Sequence, residues 1–147
     1  MVVHNYLERL IAKSSKERWD FSLIVIDLDN FKQINDAFGH LFGDLVLKKL
    51  AKIIKSSIRE LDSVFRYGGD EFVVVLPGIS KKIAREIAER LLKNIRNVEF
   101  EDGIRITASI GISSFPEDGE TAQSLFESAD RALYISKTLG KNTITAA

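Results

Sequence analysis

Two stretches of this chain are apolar at every position of a strand, not at every second one. Phe21-Ser22-Leu23-Ile24-Val25-Ile26 runs straight into Asp27-Leu28-Asp29, and Phe72-Val73-Val74-Val75-Leu76 follows directly on Asp70-Glu71. Strands buried on both faces read this way, because helices cover them from both sides. Helical spacing appears around them. Tyr6, Leu7, Leu10 and Ile11 predict a helix over 5–17, and Val46, Leu50, Ile53 or Ile54, and Ile58 predict another over 44–58, beginning after a break at Gly43. Residues 63–67 form a short strand, and Gly68-Gly69 is the two-residue loop of a tight hairpin into 71–76. Ser80 is the N-cap of a helix whose apolar face is Ile83, Ile87, Leu91 and Ile95. Residues 104–115 read as a strand, 121–139 as an amphipathic helix stopped by Gly140, and 143–145 as a last short strand. The order α-β-α-ββ-α-β-α-β predicts an α/β (α+β) sandwich on one mixed sheet, and the hairpin argues against an all-parallel, doubly wound one.

The bulk numbers narrow the class without naming it. At 147 residues the chain fits one domain, spanning 1–147, which buries about 68–70% of its unfolded surface. Lysine plus arginine equals aspartate plus glutamate at 21 each, so no net field attracts a nucleic-acid backbone or an anionic membrane. No apolar run approaches the ~20 residues of a membrane span and no signal-peptide core opens the chain, so a cytoplasmic location is expected. The absence of cysteine excludes disulfides and thiolate metal sites.

What stands out is the placement of acids at the mouths of buried strands. Adjacent carboxylates there repel one another and lose hydration unless a cation sits among them. If the first strand lies beside the hairpin, Asp27 meets Asp70. With no cysteine and only two histidines, the site is all oxygen, which favours Mg²⁺ or Mn²⁺ over zinc. Carboxylates holding such an ion beside a strand end suit phosphoryl or nucleotidyl transfer. The next residues, Asn30-Phe31-Lys32-Gln33, would bring backbone N–H groups and a lysine to phosphates. Each acidic segment taken alone also has a plain explanation, as turn chemistry or a strand end.

These segments resemble a known family. DLDNFKQINDAFGHLFGD (27–44), RYGGDEF (66–72), TASIGIS (107–113) and ADRALYISKTLGKN (129–142) are similar, in this order, to the GGDEF domain of diguanylate cyclases, from about residue 5 onward. The resemblance implies a palm-like fold related to nucleotidyl cyclases, with a central five-stranded sheet. It implies condensation of two GTP into cyclic di-GMP and two pyrophosphates, by a homodimer. Carried over, Asp27, the Leu28 carbonyl and Asp70 would ligate Mg²⁺ (or Mn²⁺), with Glu71 adjacent, and Asp70 would also be the base for the attacking 3′-hydroxyl. Asn35 and Asp44 would read guanine. Lys32, Lys137 and the backbone around Phe31 would hold the phosphates, with Lys141 standing where the family commonly has arginine. Lysine keeps the charge there but loses the bidentate fork. The opening MVVHNYLERL resembles the residues just after the family's upstream connector, which implies a domain cut from a larger signalling protein, its sensory module absent.

Arg59-Glu60-Leu61-Asp62 matches the family's RxxD product-inhibition motif, and Arg90 resembles a second arginine that closes this site from a neighbouring subunit. Arginine forks onto guanine O6 and N7 while aspartate accepts from the Watson–Crick edge; a plain ion pair at a helix end is the alternative. The rival to the enzyme reading is a non-catalytic module that senses GTP or cyclic di-GMP.

Overall fold

The two fully apolar runs lie side by side. In the computed structural model, which describes residues 2–147, the elements follow as α1 (Val2–Glu17), β1 (Phe21–Leu28), α2 (Phe31–Phe38), α3 (His40–Ser57), β2 (Ser63–Arg66), β3 (Glu71–Pro77), α4 (Lys81–Arg96), a 3₁₀ turn (Glu101–Gly103), β4 (Ala108–Phe115), α5 (Ala122–Thr138) and β5 (Ile144–Ala146). One mixed sheet carries the strands in the order β2-β3-β1-β4-β5. Only β4 and β5 run parallel; the other neighbours are antiparallel.

Strand alternation sorts the core into two layers. Ile24, Ile26, Leu28, Phe72, Val74 and Leu76 face one way and pack with Val46, Leu50 and Ile54 of α3 and Ala88 and Leu91 of α4. Phe21, Leu23, Val25, Val73 and Val75 face the other way, against Leu7 and Leu10 of α1 and Leu125 and Ala129 of α5. Burying each such side chain is worth about 1.5–3 kcal/mol, so the centre of the sheet outweighs the cost of charges at its ends. Among the described residues no helix is long and apolar enough to cross a membrane.

Four expectations change. The expected break at Gly43 is absent: α3 runs through it, and the glycine serves a close approach instead. A Cβ there would lie 1.9 Å from Asn35 Oδ1 and 3.3 Å from the Phe31 ring, so α2 packs directly on α3. The short helix α2 itself was not expected; Asn30 starts it from the left-handed region with no side-chain cap, a conformation asparagine tolerates. The hairpin loop has three residues, not two: Tyr67 N–H donates to the Glu71 carbonyl (2.7 Å) across Gly68, Gly69 and Asp70. Gly68 opens the loop with a positive φ (77°), which glycine adopts without steric cost. Finally, β4 begins at Ala108, because the chain before it is spent on the 3₁₀ turn and on Thr107, which bonds to Asp29 by side chain and by carbonyl.

Candidate functional site

The register places acid opposite acid. Asp27, at the end of central strand β1, is the cross-strand partner of Glu71, so both side chains share the sheet face covered by α5. Directly opposed like charges destabilise a sheet. The Leu28 N–H donates to the Asp70 carbonyl (3.3 Å), which ties the hairpin loop to the end of β1 and brings the Asp70 carboxyl against Asp27.

Burial pushes Asp27 up to about 6, opposed by the Lys137 charge and reinforced by Asp70. Burial also pushes Glu71 up to about 7, helped by Asp130, Asp27 and Asp70. Asp27 Oδ1 is buried without a hydrogen-bond partner. A buried carboxylate oxygen left bare is costly in the folded chain, and its surroundings invite a cation.

Lys137, from α5, stands at this spot. Its Nζ lies 2.8 Å from Asp29 Oδ1, 3.5 Å from Asp27 Oδ2 and 3.2 Å from the Leu28 carbonyl. Asp29 is the anchor of the arrangement. It is only 2% exposed, and it accepts from Thr107 Oγ1 (2.6 Å), Ser109 Oγ (2.7 Å) and the Asn142 N–H (2.9 Å) as well as from Lys137. Burial alone would raise its pKa, but these four donors hold it below the ordinary range. Lys141 is placed by the end of α5. Gly140 takes φ 118°, and the Lys141 N–H returns to the Ser136 carbonyl (3.0 Å), the six-to-one bond of a Schellman close. The Lys141 ammonium then reaches Asn30 Oδ1 (2.6 Å), at the uncapped N-terminus of α2.

Lys32 is exposed on the first turn of α2, and Phe31 and Asn35 are half-buried against α3. Asn35 Oδ1 is buried with no partner; it points at Gly43, the neighbour of exposed Asp44. Phe31, Asn35 and Asp44 are thus brought to one α2–α3 seam, and Asp27, Leu28, Asp70, Lys137 and Lys141 to the loop that leads into it. The three carboxylates Asp27, Asp70 and Glu71 do not close into a cage: among the described residues no group of three or more His, Cys, Asp or Glu is set to hold a metal. Glu71 also feels the charge of Asp130. Asp130 and the anchoring role of Asp29 escaped sequence reasoning. The i, i+7 spacing of Asp130 and Lys137 on one helix face was the available signal for the first.

At the far end of α3, Arg59 is already engaged. Its Nε and Nη2 grip Asp62 (3.1 and 2.6 Å to Oδ1), its Nη2 also donates to the Pro77 carbonyl (2.8 Å), and its N–H caps Asp62 Oδ2 (2.8 Å). A cavity of about 510 Å³ opens beside this pair, lined also by Lys55 and Phe65. Arg90 donates to the Ser57 carbonyl (2.6 Å), closing the last turn of α3.

Comparison with known proteins agrees in sequence and in shape. The family described as "Diguanylate cyclase, GGDEF domain" matches residues 1–143. Diguanylate cyclase A of Treponema denticola is 46% identical over 138 residues, 92% of this chain and 37% of the relative. Diguanylate cyclase DgcP of Pseudomonas aeruginosa is 41% identical over 144 residues, 96% of this chain and 21% of the relative. The chain therefore spans well under half the length of these curated relatives. The crystal structure of the GGDEF domain of YfiN (TpbB) from Pseudomonas aeruginosa superposes with a TM-score of 0.94 at 35% identity, covering 99% of this chain and 93% of that one. The GGDEF domain of DgcB from Caulobacter crescentus, solved in complex with c-di-GMP, gives 0.92 at 32% identity, covering 97% and 86%.

Proposed function

Since this chain belongs to the GGDEF domain family of diguanylate cyclases and has its palm-like fold, we propose that residues 1–147 act as one catalytic domain that condenses two GTP into cyclic di-GMP, releasing two pyrophosphates. The observation that carries this reading is the bare, buried Asp27 Oδ1 beside Asp70, at the head of the loop that opens α2. A site of oxygen donors and raised carboxyls suits a hard divalent ion. Asp27, the Leu28 carbonyl and Asp70 would hold Mg²⁺ or Mn²⁺, with Glu71 next to them. When bound, the ion would neutralise phosphate charge and acidify the 3′-hydroxyl.

The protein's own groups do the rest. Asp70 takes the proton of the 3′-hydroxyl, whose oxygen attacks the α-phosphorus of the second GTP as the bond to its β-phosphate breaks. Lys137 stays tethered by Asp29 while it neutralises the phosphates, and Lys32, Lys141 and the free N–H groups at the start of α2 hold the β- and γ-phosphates. Asn35 and Asp44 read guanine: a carboxylate accepts from N1–H and N2–H₂, donors that adenine does not present on that edge. Phe31 packs beside them. Because each chain has one such site and the product joins two nucleotides, two chains face each other as a homodimer. Arg59 and Asp62 form a product-binding inhibitory site that the Arg90 of a neighbouring copy closes; the related DgcB domain is known in complex with c-di-GMP.

Incubating the protein with GTP and Mg²⁺ and separating the nucleotides tests the proposal. Cyclic di-GMP and pyrophosphate should appear with GTP and not with ATP. Binding of GTP without turnover, at any protein concentration, would replace the enzyme with a sensing module.

A further inference from the structure

A groove of about 540 Å³ lies between α1 and the segment that follows α3; none of its lining residues belongs to the proposed GTP site, and Leu61 and Pro77 on its rim border the Arg59–Asp62 pair. Leu10 and Pro77 line it with aliphatic surface, Tyr6 and Trp19 with rings, and Leu61, 72% exposed, adds an apolar side chain open to solvent. The local backbone is shaped to present Trp19. Its N–H returns to the Ser14 carbonyl (3.2 Å), the bond of a Schellman close, and this forces Arg18 into the left-handed region (φ 60°). Glycine is the usual residue there, and an arginine is strained.

The charges in the groove are unequal. Glu17 is its one lining carboxylate, and it already accepts the Trp19 indole N–H (2.7 Å). Arg9 and Lys13 also line the groove, one helical turn apart, and neither makes an ion pair among the described residues. Flat rings, aliphatic surface and two free cations around a space of small-molecule size fit one ligand chemistry. We propose that this groove is a further ligand site, distinct from the GTP and product sites, that takes a small planar aromatic anion. The ring of an aromatic carboxylate, sulfonate or phosphate lies on Trp19, Leu10 and Leu61, and its charge meets Arg9 and Lys13.

The chain has a single tryptophan, so its indole N–H gives one cross-peak that reports on the groove directly. The probe is 1-anilinonaphthalene-8-sulfonate, titrated into the intact, isotope-labelled protein. The expected result is a saturable shift of the indole peak with one probe per chain. Arg9→Glu with Lys13→Glu should weaken binding by about tenfold or more, and Leu61→Asp should do the same. Lys48→Glu with Lys52→Glu, the same charge change on the exposed face of α3, should leave it within about twofold. Raising salt should weaken binding to the parent protein, which needs no variant to fold. An unmoved indole peak, equal affinity in the Arg9/Lys13 variant, or an equal loss in the Lys48/Lys52 variant would each overturn the proposal.

Discussion

Asp27 and Glu71 keep their protons to higher pH than ordinary carboxylic acids do, and that reverses an ordinary pH dependence. Burial raises them to about 6 and about 7 in the folded protein, whereas in an unfolded chain they titrate near 4. Between those limits the folded state binds more protons than the unfolded one, so stability falls as pH rises from about 4 to about 7. Asp29 acts the opposite way, since its pKa is lowered; its contribution is intact in that window and is lost only at lower pH. Without divalent cation, the melting temperature should therefore decline across this window, and Asp27→Asn should flatten the decline. Identical slopes in parent and variant would mean that Asp27 is not the group responsible. Asp70 offers a sharper test of chemistry. Asp70→Asn keeps the shape but removes a ligand charge and a proton acceptor, so cyclisation should drop by far more than tenfold with the melting temperature nearly unchanged. Turnover within about tenfold of the parent would remove Asp70 from the mechanism.

At the scale of elements, the site depends on how closely α5 lies on the sheet. Gly111 of β4 makes that approach: a Cβ there would meet the Ala129 carbonyl at 2.2 Å and the Leu133 nitrogen at 2.5 Å, both main-chain atoms of α5. No side chain can swing aside, so Gly111→Ala must push α5, and Lys137 with it, away from Asp27. Overpacking of this kind costs about 1–3 kcal/mol, so the denaturation midpoint should fall and residual cyclase activity should fall with it. An unchanged midpoint would show that α5 yields freely. The same elements explain what could be read in advance. β1 and β3 were legible because burial on both faces writes itself as unbroken apolar runs, and Ser80 was legible because it accepts from the Ile83 N–H as an N-cap should. Helix α2 was not, although Phe31, Ile34 and Phe38 have helical spacing, because eight residues starting from an uncapped asparagine carry little local signal. Asp27 and Asp70 announced themselves by charge at buried strand ends. Asp29 looked the same in the sequence, yet its meaning comes from Thr107, Ser109 and Lys137, which only tertiary packing brings within reach.

At the scale of the whole molecule, the proposed reaction and its proposed control would both turn on a second copy. On the proposed function two loaded sites have to meet, so specific activity should fall steeply on dilution, because the effective concentration of one site at the other is then the bulk concentration; a flat response over a hundredfold range would contradict a reaction between two chains. Product control is tested at Arg59, where the structure dictates the substitution. Arg59 has five N–H donors; Asp62 takes Nε and one from Nη2, and Pro77 takes the other from Nη2, which leaves Nη1 free among the described residues. A guanine gripped by both terminal nitrogens must displace the Pro77 carbonyl, while Asp62 keeps the arginine aligned. Arg59→Ala would remove the fork, but it would also leave the buried Asp62 carboxylate, 1% exposed, with only the residue 59 N–H, and lost binding could then reflect a disturbed loop. Arg59→Lys keeps a positive charge beside Asp62 and loses only the planar fork. A bidentate contact to a base is worth about 1–3 kcal/mol, so cyclic di-GMP should bind this variant about five- to 150-fold more weakly, and cyclisation should run longer before it stalls. Inhibition of the parent should be non-competitive with GTP, because Arg59 lies at the Pro77 end of β3 and the carboxylates at its Glu71 end. Calorimetry with cyclic di-GMP on both proteins decides it: equal affinities would reduce Arg59 and Asp62 to an ion pair that closes the end of a helix.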